Sequence, residues 1–197
     1  MAPLAGGFML SLLAVLANPL PAAAVLPPTA PVHVVSWSQW GPDDALGQYH
    51  VVGEVRNDDN PPASQIRVTA SGPGVLETVE ADAEILAKGE LSPFNVPLSV
   101  ACSPCTVSVT WASTTAPPNH RFTVSTNAPT SDSNGTQFIT GTVTNNNKTA
   151  SDYVRVLFTF YDALHRVVDT DQIPLNNNAT DTLDAGDSAS FELVRDA

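Results

Sequence analysis

Apolar and polar residues alternate along most of this chain. In Val51-Val52-Gly53-Glu54-Val55 the residues Val51, Gly53 and Val55 share one face of an extended segment, and in Ile139-Thr140-Gly141-Thr142-Val143 that face carries Ile139, Gly141 and Val143. A period of two means β-strands. Read this way, the chain predicts strands near 33–40, 49–56, 65–70, 75–80, 84–88, 94–101 and 106–112, then 121–126, 137–144, 152–160, a hairpin-like return at 164–171, 180–183 and 189–194. A glycine between inward-facing branched residues weakens a strand, so Gly53 and Gly141 predict a large side chain from the facing sheet crossing closely. Asn57 and Asn145 each open a polar run and predict exposed turns.

The pattern occurs twice. Gly53, Val55, Asn57, Ile66, Arg67 and Val68 are matched at a constant offset by Gly141, Val143, Asn145, Val154, Arg155 and Val156. Leu86, Gly89 and Phe94 keep their spacing in Leu183, Gly186 and Phe191. The expectation is all-β: two tandem immunoglobulin-like antiparallel sandwiches, at 32–112 and 120–197, joined by a linker at 113–119 and preceded by a stiff proline-rich spacer at 25–31. The second copy lacks a counterpart to the first copy's last strand. A truncated gene product or closure with fewer strands is favoured over strand addition by a partner, because open edges are more often a hazard than a docking site.

Residues 1–24 read as an export signal, with an apolar run from Phe8 to Ala17 and the small-residue site Ala22-Ala23-Ala24. The competing reading is a retained anchor, but the uninterrupted run is shorter than the ~20 residues that span a bilayer. Twenty acidic against eight basic residues give a net charge of −12, which opposes binding to nucleic acid or anionic lipid. An apolar content of 43% in short alternating runs, with 17 prolines, fits a β protein.

Phe158-Thr159-Phe160-Tyr161-Asp162, then Arg166-Val167-Val168-Asp169-Thr170, then Leu183 to Phe191, resemble the FxLYD domain family of bacterial and archaeal exported proteins, with Phe160 where the family has leucine. The resemblance covers most of 121–194; the first copy is diverged, with Val68 to Gly74 in place of the signature. It implies an immunoglobulin-like sandwich on an exported protein and brings no catalytic residues. Physically, Phe158 and Phe160 share a face with Val154 and Val156 and fill the core, while Tyr161-Asp162 ends a strand and starts a turn.

Cys102-Ser103-Pro104-Cys105 is the sharpest local feature. In an exported chain with two cysteines it predicts a disulfide clamping the hairpin between 94–101 and 106–112, worth ~1 to 2 kcal/mol for so short a loop. The proline suits a cis Ser103-Pro104 bond. The rival is a metal-binding or redox protein using Cys102 and Cys105 with His33 or His50, which would need further ligands from distant strands. His50 stands where the second copy has Phe138, which favours packing over ligation. Asp162, Asp169, Asp171, Asp181, Asp184 and Asp187 have no calcium-loop spacing and read as solvated. Asn134, Asn147 and Asn178 fit the N-glycosylation acceptor pattern. Trp37, Trp40 and Trp111 would line a sugar-binding face or pack a sandwich core.

No nucleophile elbow, phosphate loop, dinucleotide fingerprint or His-Glu zinc motif is present. The sequence therefore predicts no enzyme and no cofactor. It predicts an exported binding or structural spacer module of the cell surface or extracellular space. Its partner would be a protein or glycan, without nucleic acid and without a membrane span in the mature chain.

Overall fold

The computed structural model describes residues 30–43, 45–118, 121–175 and 182–195. The expectations for the export signal, for most of the spacer, and for Asn178 and Asp181 lie outside them. The described residues are all-β, without a helix. No helix among them is long and apolar enough to cross a membrane.

In the first half, β1 (Val32–Trp40), β2 (Tyr49–Asn57) and β6 (Leu91–Leu98) form one antiparallel sheet in the order β1-β2-β6. The second sheet is built on β3 (Ala63–Gly72), with β4 (Val75–Glu80) on one flank and β7 (Thr106–Ser113) on the other. The short β5 (Ile85–Leu86) pairs Ala63 and Ser64, residues that β7 also pairs, so β5 lies on the β4 flank. Val51, Val55, Val68, Ala70, Phe94 and Val96 from the two sheets meet in one buried core.

In the second half, β8 (Phe122–Thr126), β10 (Gln137–Asn145) and β13 (Ser188–Arg195) run in the order β13-β10-β8, and β9 (Thr130–Ser131) also pairs β10. Opposite them, β11 (Arg155–Tyr161) and β12 (Val167–Pro174) form a two-stranded sheet. Val143, Val154, Val156, Leu183 and Phe191 make a second core. Of the strand expected at 180–183, Leu183 forms a single bridge to Ser151.

The glycines are explained by a neighbour, though not the expected one. Gly53 lies directly opposite Phe94 on the adjacent strand, and a Cβ on Gly53 would fall 2.5 Å from the Phe94 Cζ. Gly141 lies opposite Phe191, whose ring occupies the same space. The ring thus comes from the same sheet rather than the facing one, because in-register partners on a pleated face sit closer than any residue across the core.

Asn57 and Asn145 are also corrected. The runs after them are largely exposed, but both asparagines are buried. Asn57 Nδ2 donates to the Leu86 carbonyl at 2.9 Å and Asn145 Nδ2 to the Leu183 carbonyl at 2.8 Å. Their Oδ1 atoms accept from the backbone N–H of Asp59 and of Asn147. Each side chain ties a strand end to the backbone lying across from it, and at Leu183 it adds a second donor to a carbonyl that already accepts from the Ser151 N–H.

The cysteine loop does not close a hairpin. β6 pairs β2 and β7 pairs β3, so the segment between β6 and β7 is an arch that carries the chain from one sheet to the other. Cys102 and Cys105 are disulfide-bonded at its crown, with a Cα–Cα separation of 4.9 Å, and the Ser103-Pro104 bond is cis. A four-residue turn looks alike in either connection; sheet switching is decided by the strands' partners.

Candidate functional site

On β2 the residues Val51, Gly53 and Val55 face the first core, so Val52 and Glu54 must point the other way. An outward face on a two-layer sandwich is ordinarily wet. Here Val52 is fully buried although it belongs to neither core, and Glu54 is only 5% exposed. The cover comes from the second half: β12 lies against β1 and β2. Val167, at the start of β12, is fully buried and likewise belongs to neither core, and its N–H donates to Ser36 Oγ on β1 at 3.4 Å. The Tyr161 hydroxyl donates to Glu54 Oε2 at 2.7 Å. The four sheets therefore stack in the order β4-β3-β7, β1-β2-β6, β12-β11, β13-β10-β8, with the seam between the middle two.

The turn after Tyr161 sets this geometry. Asp162 Oδ1 accepts from the N–H of Leu164 at 2.8 Å and of Arg166 at 2.9 Å, and Oδ2 accepts from Arg166 Nε at 2.7 Å. Partial burial alone would raise the Asp162 pKa, but the Arg166 and Leu164 donors outweigh it and hold the carboxyl below its ordinary range. A register shift between Phe160 and Tyr161 then places Tyr161 opposite Val167. At the seam, desolvation and then the adjoining Glu54 carboxylate push the Tyr161 phenol up to about 12.

The two phenylalanines of the signature divide. Phe158 packs on the second core, edge-on to Phe191 at 5.8 Å. Phe160 is half-buried at the rim rather than in the core: it stacks on Phe158 and lies 3.9 Å beneath the Arg195 guanidinium, which is paired with Asp169.

Cys102 is buried, and its N–H donates to Gln39 Oε1 at 3.0 Å. The His50 ring is held 2.9 Å from both Asp43 Oδ2 and Asn95 Oδ1 and stacks on Trp40 at 4.3 Å, so both nitrogens face protein oxygens. The His50 hydrogen bond and then the Leu46 N–H bring Asp43 down to about 2. Among the described residues no three or more His, Cys, Asp or Glu side chains are grouped to hold a metal ion. Trp37 and Trp111 pack against the first core, leaving Trp40 alone on His50. Asn134 is exposed in a turn capped by Asp132, whereas the Asn147 amide is engaged with Asn145 Oδ1 at 2.8 Å.

The structure thus brings Tyr161 and Asp162 together with Glu54 and Val167. Sequence reasoning missed Glu54, Val52 and Val167. The available signal was Val52, a branched apolar residue out of phase with the inward face of its strand. Comparison of the chain with family models, curated proteins and solved structures returns no match.

Proposed function

We propose that the protein is an exported, non-catalytic module of the cell surface or extracellular space, built from two tandem immunoglobulin-like sandwiches, the second of FxLYD type. It serves as a stiff spacer or as a scaffold for a protein or glycan partner. The observation that carries this reading is the seam. Two domains joined by a linker alone swing freely, whereas turning one half on the other here would uncover Val52 and Val167 and strip Glu54 of its hydroxyl donor. The duplication is supported by matched details at Gly53 and Gly141, at Asn57 and Asn145, and at Gln65 and Tyr153, both of which adopt positive φ.

Native mass spectrometry of the protein recovered from its own host tests the export and covalent state. The expected mass per chain is that of residues 25–197 less two hydrogens, with no metal adduct. Retention of 1–24, or free thiols with a stoichiometric metal, overturns the reading. Small-angle scattering tests the spacer role: one compact particle with a single inter-half distance is expected, and a broad distribution contradicts it.

A further inference from the structure

β3 and β11 occupy matched places in the two halves but differ in their company. β3 is paired along both flanks, whereas β11 pairs only β12, and among the described residues no strand lies along its other flank. The second core is accordingly less well sealed. Ile66, Val68 and Leu86 are 2%, 0% and 1% exposed, against 9%, 7% and 7% for Val154, Val156 and Leu183.

The pairing of β7 on β3 shows what this flank accepts. β7 sets Val109 opposite Val68 and Val107 opposite Ala70, with Thr110, Ser108 and Thr106 opposite Arg67, Thr69 and Ser71. Shifted by the constant offset between the copies, this asks for apolar residues opposite Val156 and Phe158. The flanking strand itself is Arg155-Val-Leu-Phe-Thr-Phe-Tyr161, which carries one charge and no proline or lysine to blunt an edge.

We propose that the free flank of β11 pairs antiparallel with β11 of a second copy, joining two chains through a continuous sheet β12-β11-β11-β12. A two-fold axis at Phe158 pairs all seven residues of the strand. It sets Phe160 opposite Val156, Thr159 opposite Leu157 and Tyr161 opposite Arg155. The inward alternation that β7 supplies to β3 is reproduced, and no like charges are opposed. The charge of −12 on each chain opposes association at long range, so the dimer tightens as salt rises.

Sedimentation equilibrium of the secreted protein at high salt is the test, with two paired variants. Leu157→Lys/Thr159→Lys places like charges opposite each other across the axis, and Leu157→Glu/Thr159→Lys places opposite charges there, at the same positions of the fold. The unsubstituted protein is expected to be dimeric. The like-charge variant should weaken the dimer by about tenfold or more relative to the opposite-charge one. Slowed amide exchange within 155–161, symmetric about Phe158, on dimerisation provides a reading independent of the variants. A monomer throughout, a dimer equally tolerant of both variants, or protection confined to another strand overturns the proposal.

Discussion

The Tyr161 hydroxyl and the Glu54 carboxylate, 107 residues apart, meet at 2.7 Å across the seam. Tyr161→Phe removes the donor and leaves a buried carboxylate short of a partner, so unfolding in urea should show a loss of about 1–3 kcal/mol. The pH dependence follows from the same contact. The folded phenol titrates at about 12 rather than 10.0, so its contribution is complete below pH 10 and is lost as pH rises toward 12. The alkaline fall in stability should therefore be shallower in Tyr161→Phe.

Gly141→Ala should be among the most damaging small substitutions in the chain. The added methyl would overlap the Phe191 ring and the Ser125 carbonyl oxygen. A side chain can rotate away but a strand carbonyl cannot, so the cost should exceed about 2 kcal/mol. Adding Phe191→Leu should recover only part of it, which thermal melts of the single and double variants would reveal.

Asn145→Ala leaves the Leu183 carbonyl and the Asn147 N–H without their side-chain partner, at a cost of about 2–3 kcal/mol. Asn145→Asp should be worse at neutral pH, because a carboxylate facing a carbonyl repels it. Acidification should narrow the gap between these two variants, since a protonated carboxyl can donate. A gap that does not change with pH would mean that the Leu183 contact is not what matters.

Tyr153 holds a left-handed φ of 55° with its side chain exposed. Glycine takes that conformation without a Cβ clash, so Tyr153→Gly should stabilise the fold by about 0.5–1 kcal/mol, the gain in strain exceeding the entropy glycine loses. Gln65→Gly, at φ 49°, should behave alike. A loss of stability in both would show that the side chains make contacts outweighing the strain.

These effects mark what the sequence could show. Strands such as Val75–Glu80 and Gln137–Asn145 were legible because alternation is local, and the conserved spacing of Leu86 to Phe94 in Leu183 to Phe191 was visible without any coordinates. What escaped depends on partners. The arch at Cys102 reads as a hairpin until β6 and β7 are found in different sheets. Asn57 and Asn145 read as surface turns because asparagine is common there, and only their bonds to Leu86 and Leu183 explain the burial. The seam was hardest to foresee, because Glu54 on an outward face is indistinguishable from a solvated residue until another sheet covers it.

Stacking the two halves in this way uses up one face of each, and the faces left over point in opposite directions. Both carry small hydroxyls: Thr69, Thr78, Ser108 and Thr110 at one end, beside the Arg67–Glu80 ion pair and the exposed Leu76, and Ser125, Thr142, Thr144 and Ser188 at the other. A molecule built like this is two-headed. Under the scaffold reading proposed above, partners bound to these two faces would be held back to back, a sheet stack's thickness apart.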